Sequence, residues 1–104
     1  MAENEQRSHI ITYDIGEPRR LVKIHRYLKK RALPVQYSVF LIRCTPYKLK
    51  DIMIDLEAMI APAEDDIRSY TLPRKPQIIT LGRQAKFAGM ELLNGGENDY
   101  IQLL

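Results

Sequence analysis

At 104 residues with a formal charge of +3, the chain has room for one hydrophobic core and not for a second. Its apolar fraction of 45% and charged fraction of 28% are those of a globular domain, and its apolar runs stop far short of the roughly 20 residues that cross a bilayer. The polar start from Met1 to Ser8 carries no secretory apolar stretch, and one cysteine, Cys44, makes neither an internal disulfide nor a cysteine-based zinc site, so the cytoplasm is the expected compartment.

In chain order, residues 1–8 read as a flexible tail. His9-Ile10-Ile11-Thr12-Tyr13-Asp14 is rich in β-branched and aromatic residues and predicts a first strand ending at Asp14. Gly16-Glu17-Pro18 supplies a turn, with proline suited to a first helical position because its missing N–H has no partner there anyway. Leu21, Ile24, His25 and Leu28 then recur at helical spacing as one apolar stripe. Leu33-Pro34 ends that helix, and Val35 to Cys44 has β character that fits either one bent strand or two short ones. Thr45-Pro46 starts a second helix, striped by Leu49, Ile52, Met53, Leu56 and Ile60.

Beyond the acidic turn Glu64-Asp65-Asp66, two short strands are expected over Ile67 to Leu72 and Gln77 to Leu81, separated by Pro73 and Pro76. Residues 9–82 thus form an α+β domain, most simply an antiparallel sheet with two helices on one face, as in ferredoxin-like folds. Residues 83–104 form an extension, with Phe87 to Leu93 reading as a strand, Asn94-Gly95-Gly96 as a turn and Tyr100 to Leu104 as an apolar end. Such a tail needs a sheet edge to bury it, its own or that of a second subunit.

Charge is unevenly spread. From Pro18 to Lys50 there is no acidic residue, while Arg19, Arg20, Lys23, Arg26, Lys30 and Arg31 crowd the first helix, a pattern that suits phosphate contacts as well as a solvated face. Asp14 is the one acid of the first strand, and a carboxylate at a strand end either accepts hydrogen bonds from its own turn or binds a hard cation. One carboxylate is by itself a poor site for Mg²⁺ or another divalent cation, and a twofold axis pairing two Asp14 residues supplies a second. His9, His25 and Cys44 lack ligand spacing and read as packed side chains, and no glycine-rich phosphate loop is present.

Tyr13-Asp14-Ile15, the basic helix, Val35-Gln36-Tyr37-Ser38-Val39-Phe40, Ile67-Arg68-Ser69-Tyr70-Thr71-Leu72 and Ile78-Ile79-Thr80-Leu81-Gly82, in that order, resemble the Cas-two family of small CRISPR-associated proteins. The resemblance spans about Ile10 to Gly82. It implies a ferredoxin-like fold, a homodimer with an Asp14 from each subunit at its axis as catalytic and metal-binding residues, and a C-terminal segment packing on the partner subunit. It further implies a metal-dependent endonuclease or endoribonuclease acting on DNA or RNA, with a place in spacer acquisition beside the CRISPR integrase. Arg20 and Lys23 match the family's basic helix, and Tyr13, Ser38 and Phe40 stand near the site. The rival readings are a non-catalytic scaffold bridging integrase dimers, and a toxin-type ribonuclease or ligand-sensing regulator of the same shape.

Overall fold

The structure, a computed structural model, describes residues 4–82 and 100–102. Among them the elements are strand β1 (Arg7–Asp14), helix α1 (Pro18–Lys29), strands β2 (Leu33–Gln36) and β3 (Val39–Cys44), helix α2 (Pro46–Glu57), and strands β4 (Asp66–Thr71), β5 (Ile78–Thr80) and β6 (Tyr100–Gln102). The first four strands form an antiparallel sheet in the order β2-β3-β1-β4, which is the ferredoxin-like arrangement expected of an α+β chain.

Strand periodicity sorts the two faces of this sheet. Ile11 faces Phe40 and the buried His9 faces Ile42 across β1 and β3, and Ile11, Phe40 and Ile42 join Ile24 and Leu28 of α1 and Ile52 and Leu56 of α2 in one buried cluster. Both helices therefore cover the same face. Each fully buried large aliphatic or aromatic side chain adds about 1.5–3 kcal/mol to that packing. The alternate positions, including Ile10, Thr12 and Asp14 of β1 and Arg68 and Tyr70 of β4, belong to the face without helices.

Local signals explain the helix starts. Pro18 and Pro46 open their helices as expected, with Glu17 and Thr45 as N-caps; Thr45 Oγ1 accepts from the Lys48 N–H at 3.2 Å, while the Glu17 carboxylate accepts from the Arg19 and Arg20 N–H groups. Those bonds also hold the Glu17 carboxyl below its ordinary pKa.

Several expectations shift. Strand β1 takes in Arg7 and Ser8, assigned above to the flexible tail: Arg7 pairs with Cys44, its Nη2 donates to the Leu72 carbonyl at 2.6 Å, and Ser8 is buried. Val35 to Cys44 resolves into two strands joined by the two-residue turn Tyr37-Ser38, with Ser38 at φ +59° and a register shift between Pro34 and Gln36 on the edge strand, where proline is tolerated. Leu21 and His25, read as part of the apolar stripe, are exposed because they flank a cleft beside the helix. Tyr100–Gln102 pairs in parallel with the chain's own β5 in a separate two-stranded sheet. The readings of Arg83 to Lys86, Phe87 to Leu93, Asn94-Gly95-Gly96 and the last two residues lie outside the described residues.

Candidate functional site

Asp14 closes β1 on the face opposite the two helices, exposed to solvent, and the ladder to β4 puts Asp66 directly opposite it. Directly opposed residues of an antiparallel pair stand about 5 Å apart at Cβ, so two carboxylates meet at this strand end. Asp66 is held by Arg68 Nε at 2.9 Å, whereas the Asp14 carboxylate receives no hydrogen bond and no ion pair from the described residues. Asp14 thus does not accept hydrogen bonds from its own turn. Hard oxygen donors suit Mg²⁺, which is held by one or two carboxylates and keeps several waters. Asp66 escaped the sequence reading because register, not local sequence, brings it to Asp14.

The turn after Asp14 is pinned by a second acid that the sequence reading also passed over. Asp65 is buried, and its Oδ1 accepts from the Gly16 N–H at 2.9 Å and from Arg20 Nη2 at 3.2 Å, while Oδ2 accepts from Arg20 Nε at 2.7 Å and from the Ala61 N–H at 2.8 Å. The Arg20 guanidinium first, and then the two backbone donors, hold the Asp65 carboxyl far below the usual carboxylate range. Gly16 permits this closure, since a Cβ there would stand 3.2 Å from the Glu64 carbonyl oxygen. The cluster ties the α1 end of the Asp14 turn to the loop leading into β4.

The cations of α1 and of the turn that follows it divide by direction. Arg20 is committed to Asp65, and Arg31 folds back over the Tyr27 ring, 3.7 Å from its centroid, with Nη1 donating to the Tyr27 carbonyl at 2.9 Å. Arg19, Lys23, Arg26 and Lys30 follow one another at four- and three-residue steps, are exposed, and have no ion-pair partner among the described residues. The sequence-derived basic set is thus a stripe of four plus two arginines occupied within the fold. Phe40, expected near the site, is a fully buried core residue stacked on Tyr13 and edge-on to His25.

On the helix-covered side, a cleft of about 1100 Å³ opens between α1 and the β2–β3 turn. At its edge the Tyr13 hydroxyl and His25 Nδ1 lie 3.0 Å apart, and Ser38 lines the same cleft. Burial raises the pKa of Tyr13 and Ser38 partly opposes the shift, so the phenol stays protonated at neutral pH.

The chain is similar to known proteins. The model of the family described as CRISPR associated protein Cas2 matches residues 7–77. The chain is 43% identical over 82 residues to the CRISPR-associated endoribonuclease Cas2 1 of Nitrosomonas europaea, covering 79% of this chain and 78% of that one. It is 32% identical to the CRISPR-associated endoribonuclease Cas2 2 of Thermodesulfovibrio yellowstonii, over 71% of this chain and 81% of the relative. Among solved structures, Streptococcus pyogenes Cas2 at pH 6.5 superposes with a TM-score of 0.58 at 30% identity, covering 64% of this chain and 86% of that one. A hypothetical protein from Thermus thermophilus shares the fold at a TM-score of 0.68 and 24% identity, over 79% of this chain and all of the other.

Proposed function

The chain belongs to the CRISPR associated protein Cas2 family, and from that premise we propose that it is a homodimeric, divalent-metal-dependent nuclease of CRISPR spacer acquisition, acting through Asp14. The observation that carries this reading is an exposed carboxylate at a strand end, without a partner among the described residues, on the sheet face that no described helix covers. A second copy docked on that face, with its C-terminal segment contributing to the interface, sets two Asp14 side chains about one axis. Asp14 and Asp66 are the donors that would hold Mg²⁺, and the bound ion supplies Lewis-acid polarisation of a phosphodiester and a more acidic water.

On α1, across the sheet from that centre, the stripe of Arg19, Lys23, Arg26 and Lys30 attracts the phosphate backbone, and Asp65 keeps the Asp14 turn in place. Addition of water to phosphorus expels the 3′ oxygen, which takes up a proton, leaving a 3′-hydroxyl and a 5′-phosphate. The relatives named endoribonucleases support RNA as one substrate.

The test is Asp14→Asn assayed on single-stranded RNA and duplex DNA with Mg²⁺, beside sedimentation of the protein. Loss of cleavage with the dimer intact bears the reading out. Cleavage at the wild-type rate, or a strictly monomeric protein, overturns it. Unchanged spacer acquisition by Asp14→Asn, with no cleavage by the wild type, assigns the chain instead to bridging the integrase without chemistry.

A further inference from the structure

We propose that the cleft between α1 and the β2–β3 turn holds one base of a single-stranded nucleic acid, with Tyr37 stacking on the base and Arg26 and Lys29 gripping the flanking phosphates. The site is separate from Asp14. Tyr13 and Asp14 are consecutive strand residues pointing to opposite faces, so the cleft edged by Tyr13 lies on the helix side of the sheet and the Asp14 carboxylate on the other.

Three observations converge on a nucleotide. First, Tyr37 stands at the tip of the two-residue turn with its side chain completely exposed, although it is a large aromatic group beside a cleft. Nothing in the described chain covers it, and an uncovered aromatic ring at a cleft mouth is the stacking platform that single strands use, whereas paired bases present no free face. Ser38 beside it, held at φ +59° and hydrogen-bonded through its carbonyl to the Tyr13 N–H at 3.1 Å, fixes the direction of the turn.

Second, the lining is apolar with a few convergent polar groups. Leu21, Val22, Pro34 and Val35 provide surface for a flat ring, and the Tyr13 hydroxyl, His25 and Ser38 offer hydrogen-bonding atoms to its edge. A volume near 1100 Å³ accommodates a nucleoside with its adjoining phosphates.

Third, the charge is of one sign. Arg26 and Lys29 flank the cleft from α1, and none of its described lining residues is acidic. An apolar peptide would leave those cations unmatched, and an acidic peptide would not use the exposed ring, whereas a single strand satisfies both. Arg26 also belongs to the outward stripe of cations, so a strand lying along α1 reaches the cleft without a break.

The proposal takes from the function above only that the chain meets nucleic acid, and it does not require cleavage at Asp14. The experiment uses the full chain, without divalent metal, and a single-stranded hexanucleotide carrying 2-aminopurine, whose fluorescence falls when it stacks. The expected result is quenching with the wild type, a roughly tenfold weaker affinity with loss of quenching in Tyr37→Ala, and retention of both in Tyr37→Phe. Arg26→Gln and Lys29→Gln should each weaken binding and lower the slope of log affinity against log salt by about one. Because the Tyr37 side chain is completely exposed among the described residues, its removal leaves the thermal midpoint unchanged, which is the control.

Equal affinity and quenching in wild type and Tyr37→Ala would overturn the proposal while leaving cleavage by wild type and its loss in Asp14→Asn untouched. Adenosine monophosphate binding as tightly as the hexanucleotide would overturn it in favour of a small-ligand site, and equal affinity for the duplex would remove the single-strand assignment. Quenching that disappears in Tyr37→Ala, in a protein that cuts nothing, would sustain the cleft and sink the nuclease.

Discussion

Asp14 and Asp65 are both aspartates at the same corner of the fold, on either side of the junction between β1, α1 and β4, yet their surroundings are opposite. Asp65 is buried and saturated, with an arginine and two backbone N–H groups on its two oxygens. Asp14 is open to solvent, with no partner among the described residues and a second carboxylate facing it across the ladder. A carboxylate whose hydrogen-bonding capacity is consumed inside the protein supports the fold, and one left unsatisfied at an exposed strand end is available to a ligand.

Paired substitutions sharpen this contrast. The largest expected effect is on activity: Asp14→Asn should lower cleavage by at least about a hundredfold with an unchanged thermal midpoint, and chelation of divalent metal should do the same until Mg²⁺ is restored. A drop in the midpoint of Asp14→Asn would erase the distinction. Asp65→Asn should behave in reverse, lowering the midpoint at neutral pH because one acceptor oxygen is lost and Arg20 loses its counter-charge.

The pH dependence has a definite sign. The Asp65 carboxyl titrates lower in the folded chain than in the unfolded one, where its value is 3.8, so its stabilisation is complete above that value and fades as pH falls below it. Thermal melts of wild type and Asp65→Asn should therefore converge in strong acid; a gap that stays constant down to that range would show that the ion pair is not its source.

Gly16→Ala probes the closure between the two acids. Its methyl group would press on the Glu64 carbonyl at 3.2 Å, and denaturant unfolding should show a loss on the order of 1 kcal/mol. An unchanged stability would mean that the loop yields without cost and that Asp65 alone sets the Asp14 turn.

The smallest expected effect lies at the opposite end of β1, where His9 is wholly buried between Thr71 Oγ1 at 2.9 Å and the Cys44 carbonyl at 3.1 Å. The carbonyl only accepts, so Nε2 donates to it and Nδ1 accepts from the Thr71 hydroxyl in the neutral ring. Burial lowers the pKa of His9, with Arg7 adding to the shift and the Cys44 carbonyl opposing it. The unfolded chain thus binds the proton first, and stability should fall as pH drops through the ordinary histidine value of 6.5 and below. His9→Gln should flatten that slope in melts; an identical slope would assign it elsewhere.

Much of this chain was legible before any tertiary information. Pro18, Thr45 and Pro46 act within one helical turn of themselves, and the apolar residues of β1 and α2 repeat at periods that belong to one strand or one helix. The turn at Tyr37-Ser38 was not, because neither residue carries the glycine or asparagine signal that marks a two-residue hairpin, and Ser38 is held at positive φ by the strands on either side. The basic helix was legible as a composition but not as a surface: the same run of cations contains Arg20, which is consumed by Asp65, and Arg31, which lies on Tyr27.

What the amino-acid order determined by itself is the succession of strands and helices, their caps, and the exposure of a strand-end aspartate among cations, since each depends on neighbours a few positions away. Tertiary structure alone decided which acid is buried, which faces Asp14, and where the cleft beside Tyr37 opens. The Asp65 contacts to Arg20 and Gly16 span 45 and 49 residues, and the Asp14–Asp66 pairing depends on strand register. Partners at such separations are chosen by the packing of the whole sheet, and local spacing carries no trace of them.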